Sequence, residues 1–315
     1  MNYSQIIKQY KSYVASSYIS LTPNQIDILP KGKLYVSKKY DGLFCCLILN
    51  PENSILLMPN GMRVPENKNI FKEMQSIKCD DEIIIAGELY ASNGSSKRER
   101  SSDVRASLSQ ENSQVYFAAF DIVQSSKENL DDYAKKIQYM SKILKGLEYS
   151  HVIEMHEHEA DSIPDMFQSM VIKDHNEGLI IRDNRRIYKM KQNIDLDLII
   201  LAYTSQKHNS VRSIALGIAL SDKQFLYVGS VGTLGTDKKR EELYNHLSKI
   251  ECESLYRMSS SNGSLYQFVI PKIVINISAK DVQMERHDSS LINHMAFVLD
   301  ENKLKPLHLT PSFSI

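Results

Sequence analysis

The chain has 315 residues, with 38 basic and 38 acidic side chains and a formal net charge of +0. That length accommodates two domains with separate cores. The charge balance excludes a global field that draws the protein to nucleic acid, so any such affinity must come from local patches. Cys45, Cys46, Cys79 and Cys252 form no CxxC pair and no zinc spacing. They read as buried thiols of a reducing compartment rather than a disulfide or metal scaffold.

In chain order, Tyr3 to about Ser16 alternates apolar and polar residues at helical spacing. Lysines interrupt it, so it lacks the apolar core of a signal peptide. No run is long enough to span a bilayer, and a cytoplasmic protein without membrane contacts is expected. Leu34 to Ile122 reads mainly as strands and turns, with one helix around Phe71-Lys72-Glu73-Met74. Ser92 to Gln114, rich in serine and charge, reads as a mobile surface loop carrying Lys97, Arg98, Arg100 and Arg105, with room for a phosphate-contacting role. Helices are predicted from Leu130 to about Lys145, ended at Gly146, and from Pro164 to His175. Strands follow from Leu179 to Lys191. The domain boundary is drawn at residues 193/194, giving domains 1–193 and 194–315. Beyond it, strands are predicted at Leu198–Tyr203, Ser213–Leu220 and Gln224–Val231. Thr236 is expected to cap a helix ending near Ile250, before a last pair of strands at Gln267–Val269 and Ile273–Ile277. Short strands with one inserted helix fit a small barrel.

The most informative residues are Lys39-Tyr40-Asp41-Gly42, between the runs Lys33–Ser37 and Leu43–Leu49. An Asp-Gly step between strands is the commonest hairpin signal, and a flanking lysine is usually solvated. Four segments then follow in a fixed order: Ala86-Gly87-Glu88-Leu89-Tyr90, Phe117 to Ile122, Glu177 to Asp183, and Tyr188-Lys189-Met190-Lys191. Each polar member closes or interrupts an apolar run, which places acidic residues at strand ends around one cleft. Lys189 and Lys191, two apart on a strand, point the same way and repel unless an anion lies between them.

This set resembles the nucleotidyltransferase motifs of the covalent superfamily of ATP-dependent DNA ligases, RNA ligases and mRNA capping enzymes. Lys39-Tyr40-Asp41-Gly42 matches its KxDG nucleophile motif, and Glu88, Phe120-Asp121, Glu177-Gly178 and Lys189-Met190-Lys191 match the rest in order. Asn193 to Ile200 resembles the stretch after the lysine pair in DNA ligases. Val228 to Thr236 resembles the VGxVGTG segment of their OB domain. The resemblance spans nearly the whole chain and implies an α+β fold: a nucleotidyltransferase (adenylation) domain with antiparallel sheets, then a C-terminal OB-fold β-barrel. It implies a minimal two-domain DNA ligase that seals 5′-phosphate/3′-hydroxyl nicks in duplex DNA through a lysine–AMP intermediate.

The implied roles fall on individual residues. Lys39 is the nucleophile. A free lysine is protonated at pH 7, so nearby cations must favour the neutral amine, with Lys38, Lys189, Lys191 and a metal as candidates. Lys39, Asp41, Gly42, Glu88, Phe120, Lys189 and Lys191 bind ATP. Within that set Asp41 orients the turn or the ribose, Phe120 stacks on adenine, and the two lysines hold the triphosphate. Glu88 and Glu177 hold Mg2+, which takes oxygen ligands and bridges to phosphates. Arg63, Arg98, Arg100 and Arg105 are candidates for DNA contacts. Lys207, His208 and Arg212 read as a solvated loop in reach of phosphates.

Four departures modify the expectation. Phe44 stands two past the KxDG glycine, where DNA ligases usually carry arginine. Their Arg-Asn-Gly motif reads Pro59-Asn60-Gly61, with Arg63 displaced. Ser37 replaces the glutamate favoured for contact with adenine N6. The final Pro306 to Ile315 looks like the lead-in to a pyrophosphate-orienting motif that does not follow. Slow self-adenylylation is therefore expected, or assistance by Lys272, Lys280, Lys303 or a protein partner. The chain is expected to act as a monomer. The alternatives are an RNA ligase, a GTP-using capping enzyme and a non-catalytic strand-break binder; NAD as donor is disfavoured by the short segment before Lys39.

Overall fold

The computed structural model describes residues 2–92, 100–111, 113–126, 130, 132–154, 156–183, 186–206, 209–260, 262–279 and 295–307. The described chain divides into two compact units, the change falling between Gln192 and Asn193.

In the first unit, helix α1 (Tyr3–Ser17) starts at Asn2, whose side chain accepts from the Gln5 amide at 3.3 Å, and it buries Ile7 and Val14 on one face. The elements that follow are β1 (Tyr18–Leu21), β2 (Lys33–Lys38), β3 (Leu43–Leu49), β4 (Ile55–Leu57), α2 (Asn69–Ser76), β5 (Ile83–Tyr90), α3 (Ser101–Ser109), β6 (Tyr116–Ser125), α4 (Tyr133–Ile143), β7 (Ser150–Val152), β8 (His156–Glu159), α5 (Ile163–Met166), β9 (Gly178–Arg182) and β10 (Ile187–Lys191). They build two mainly antiparallel sheets, ordered β1-β10-β9-β2-β8 and β4-β3-β5-β6-β7.

Strands β2 and β3 therefore belong to different sheets. Lys39 to Gly42 is a crossover from one sheet to the other and not the hairpin turn that Asp-Gly signals. Strand alternation then decides what each sheet offers the space beside that crossover. In the first sheet, Leu34, Val36, Leu179 and Ile181 face a core closed by Ile163, Phe167 and Val171. Ser37, Ile180 and Arg182 fall on the other face. In the second sheet, Leu47, Leu49, Ile83 and Ile85 pack with Ile70, Met74 and Met140. The intervening Cys46, Ile48, Ile84 and Ala86 pack on Ile7 of α1. The same period carries Glu88 onto the α1-covered face. Glu88 and Asp121 lie inside strands, whereas strand ends were expected; Glu177 immediately precedes β9.

The serine-rich stretch also differs from expectation, since α3 occupies Ser101–Ser109 and buries Val104. Lys68, only 1% exposed, donates to the carbonyls of Ser107 (2.6 Å), Gln110 and Ser113 (3.4 Å). A buried cation thus satisfies the chain as it leaves the C-terminal end of α3, and its burial pushes the Lys68 pKa down. Helix α4 is shorter than predicted: Asp132 caps it at 3.0 Å from the Ala134 amide, and Gly146 follows with φ +77°. Helix α5 starts one residue before Pro164 and continues as a wide, π-type helix over Phe167–Lys173.

The second unit is one seven-stranded sheet. Its strands are β11 (Ile194–Gln206), β12 (Ser210–Ala219), β13 (Gln224–Val231), β14 (Gln267–Phe268), β15 (Val274–Ala279), β16 (Ala296–Asp300) and β17 (Lys303–Leu307), ordered β14-β11-β12-β13-β16-β17 with β15 also on β11. Strands β16 and β17 extend it beyond the last strands predicted. The extended segment from Glu251 brings the sheet's ends together. The Leu304 amide donates to Glu253 at 3.0 Å and the Cys252 amide to Phe268 at 2.9 Å, nearly closing a barrel. Thr236 Oγ1 accepts from the Lys239 amide at 3.5 Å and opens helix α6 (Asp237–Leu247). Among the described residues no helix is long and apolar enough to cross a membrane, and all four cysteines are free thiols.

Candidate active site

The crossover is pinned at both ends. The Lys39 amide donates to Gly178 at 2.8 Å, extending the β2–β9 ladder by one bond. At Gly42 a Cβ would lie 2.0 Å from the Leu89 carbonyl oxygen and 2.8 Å from Cγ of Glu88. Only glycine lets the loop lie this close to β5. The Lys39 ammonium lies 2.5 Å from Glu177 Oε2 and 3.3 Å from the Tyr40 carbonyl. Lys191 binds the other oxygen of the same carboxylate, so Glu177, 8% exposed, joins two ammonium groups. Lys189, two residues away on the same face, stands 5.4 Å from the Tyr18 ring. The anion between cations is here a protein carboxylate joining Lys39 to Lys191.

Glu88 approaches from the second sheet. Burial raises its pKa to about 7, opposed by the Lys39 charge and reinforced by Glu177. Phe120 reaches the same space through a β-bulge: Ala86 pairs with Asp121 and Gly87 with Ala119, leaving Phe120 unopposed. The backbone around it is tied down. Tyr133 Oη donates to the Phe120 carbonyl at 2.7 Å. Asp121 accepts from Tyr10 at 2.6 Å and pairs with Lys136 at 2.8 Å. The Arg182 guanidinium lies 5.4 Å from the Phe120 ring and 5.0 Å from Tyr133.

Lys39, Glu88, Phe120, Lys189 and Lys191 line one cavity of about 280 Å³. Asp41 and Gly42 belong to the crossover beside it and do not line it. A second groove of about 650 Å³ brings together Arg63 and Arg105, and it shares Lys11 and Phe44 with the cavity. Lys11 stands 5.7 Å from the Phe44 ring. Arg100 lines neither space; its amide caps α3 through Asp103 at 2.8 Å. Arg98, Lys207, His208 and Lys280 lie outside the described residues. No group of three or more His, Cys, Asp or Glu is placed to hold a metal among the described residues. Glu88 and Glu177 still offer the oxygen donors that magnesium takes together with substrate phosphates.

Residues 15–195 match the family model described as the ATP-dependent DNA ligase domain. The chain belongs to that family. Among solved structures, the fold resembles Pmar-Lig_Pre (15% identity, TM-score 0.57, covering 81% of this chain and 66% of that one). It also resembles Pmar-Lig_PreS3 (15%, 0.54, 86% and 72%). A structure of the Lig E DNA ligases, described as DNA binding with a minimal scaffold, matches at 14% and TM-score 0.50 over 71% of this chain and 86% of that one. At these identities the likeness is one of fold, a nucleotidyltransferase unit followed by an OB-fold barrel. No curated protein sequence matches the chain.

Several residues of this ligase-family site were not singled out by sequence motifs: Tyr10, Lys11, Tyr18 and Arg182. For Arg182 a signal existed, because alternation about the core residue Ile181 puts it on the cavity face with Ile180. For α1 there was none, since helical periodicity reveals a buried stripe but not what its polar flank adjoins.

Proposed function

We propose that this chain is an ATP-dependent polynucleotide ligase that seals 5′-phosphate/3′-hydroxyl nicks in duplex DNA through a covalent Lys39–AMP intermediate. The observation that carries the reading is the Lys39 amine lining the cavity, 2.5 Å from a carboxylate shared with Lys191. In the first step Nζ of Lys39 attacks the α-phosphorus of ATP, the bond to the β-phosphate oxygen breaks, and pyrophosphate leaves. Glu177 Oε2 is the acceptor in reach for the proton the amine must lose. Lys189 and Lys191 hold the phosphates, and Phe120 offers its ring to the base. An oxygen of the strand's 5′-phosphate then attacks the α-phosphorus, the P–N bond breaks, and Lys39 recovers its proton. The 3′-hydroxyl finally attacks that activated 5′-phosphate and AMP departs.

Glu88 and Glu177 would hold magnesium, which supplies charge neutralisation for the phosphates. Arg63 and Arg105, facing one groove beside the cavity, would take phosphates of the duplex, and the C-terminal barrel a further stretch. The division at Gln192 supports an adenylation domain over 1–193 and an OB-fold domain over 194–315. The test is incubation with α-labelled ATP and magnesium, then a denaturing gel. Label should survive denaturation and vanish in Lys39→Ala. Pre-adenylylated nicked DNA and nicked RNA then separate the substrates, and no covalent label with ATP removes the proposal.

A further inference from the structure

The crossover that carries Lys39 has a third anchor, through the side chain of Tyr40. Tyr40 Oη lies 3.2 Å from Nε2 of His151 in β7. The Tyr40 ring packs on Tyr90 of β5 with centroids 4.7 Å apart, and Tyr90 meets the His151 ring edge to face at 5.7 Å. The Lys38 ammonium stands 4.4 Å from the Tyr40 ring. His151 is partly buried and does not line the cavity. What links it to the site is the backbone of Tyr40, whose carbonyl oxygen lies 3.3 Å from the Lys39 ammonium. A residue held by its side chain has less freedom to turn its peptide group. The Tyr40–His151 bond therefore steadies one of the two acceptors that aim the Lys39 amine.

We infer that His151 is a positioning residue for Lys39: as a neutral imidazole it accepts from the Tyr40 hydroxyl, and so holds the crossover, with the amine it presents, against the second sheet. This rests on the reading of Lys39 as the nucleophile. The surroundings set the direction of the bond. Tyr40 faces the imidazole from the crossover, Tyr90 from β5, and Lys38 from β2 bears on it as a charge. Burial, and then the Lys38 charge, push the His151 pKa below the ordinary 6.5. The ring is thus neutral near pH 8, able to donate from one nitrogen and accept at the other. Protonation reverses this: Nε2 becomes a donor, and a second cation stands near Lys38. The anchor on the crossover is therefore weakened in acid.

The test follows single-turnover labelling by α-labelled ATP at pH 8, with ATP binding measured separately by calorimetry. His151→Ala and Tyr40→Phe should each slow labelling about tenfold. The double variant should fall no more than about threefold below either, because both changes remove the same bond. ATP affinity of His151→Ala should stay within about threefold of wild type, a loss of rate without a loss of binding. His151→Gln, whose amide oxygen accepts and does not titrate, should recover most of the rate at pH 8. Its rate relative to wild type should climb as pH falls to 5, in step with protonation of His151 followed by NMR. Should His151→Ala not fold, Tyr40→Phe and His151→Gln still decide. Unchanged labelling in His151→Ala, losses that multiply in the double variant, a glutamine variant no faster than the alanine one, or a ratio that stays flat with pH would each overturn the assignment while leaving Lys39 as nucleophile. Absence of label in the wild type removes the nucleophile reading, and this assignment with it.

Discussion

Lys39 and Lys191 hold opposite oxygens of one carboxylate, that of Glu177. Two partly buried ammonium groups are brought to the same point by one buried carboxylate. Glu177→Gln removes that charge and leaves the cations facing a neutral amide. Covalent labelling by ATP should fall by about a hundredfold or more, as for removal of a preorganised electrostatic group. A time course of labelling under single-turnover conditions reads this directly, and a rate within threefold of wild type would refute it.

Glu88 has the opposite character, a carboxylate held at a disadvantage. Its pKa, about 7, lies above the ordinary 4.5. This group therefore favours folding fully below pH 4.5, and that advantage is lost as pH rises through 7. In metal- and nucleotide-free protein, Glu88→Gln should be the more stable form at pH 8, by roughly 1–3 kcal/mol, and nearly equal to wild type at pH 4. Melting scans at the two pH values should show a rise at pH 8 of about 2–4 °C for each kcal/mol gained. A lower melting temperature for the variant at pH 8 would contradict it.

Gly42→Ala must displace either the Leu89 carbonyl or the crossover, given the 2.0 Å approach. The crossover is the softer element, and Lys39 rides on it. We expect labelling to drop more than about tenfold, with a loss of stability of about 1–3 kcal/mol. Gly146→Ala, where φ is +77° but nothing lies within 4 Å, serves as control. It should lose about 1 kcal/mol and keep its labelling rate.

Arg63 and Arg105 face one groove. If both take phosphates, Arg63→Gln and Arg105→Gln should each weaken nicked-duplex binding similarly across sequences. Each should also reduce the slope of log affinity against log salt by about 1. Anisotropy titrations at several salt concentrations measure both effects. An unaltered slope in both variants would exclude the groove as a phosphate track.

Lys68→Met should release the C-terminal end of α3. Three carbonyls lose a buried donor, a loss of about 2–4 kcal/mol. Because Arg105 sits on α3, limited proteolysis between Ser101 and Ser109 should begin well before global melting.

Which residues come together was partly legible because they lie in short motifs at strand positions. Lys39, Glu88, Phe120, Lys189 and Lys191 do line one cavity, and Glu177 does adjoin it. What could not be read was which strands share a sheet. Asp41-Gly42 has the composition of a hairpin turn, yet its flanking strands pair elsewhere, because register is decided by distant partners such as Gly178 and Leu89. Helix α3 was hidden by its serines, which favour turns unless something holds the helix end; Lys68, remote in sequence, does that. Strand β17 was missed for a local reason, since Pro306 demotes a strand reading except at an edge, where β17 lies.

The two sheets of the first unit rest on different apolar clusters, and Lys39 sits at the seam. The cluster beneath β2 and β9 is the smaller. Warming should therefore loosen that half first, carrying away the amine, Glu177 and both distal lysines while Phe120 and Glu88 stay anchored in the other half. Loss of covalent labelling by ATP should then run ahead of the main calorimetric transition, through local opening of one foldon.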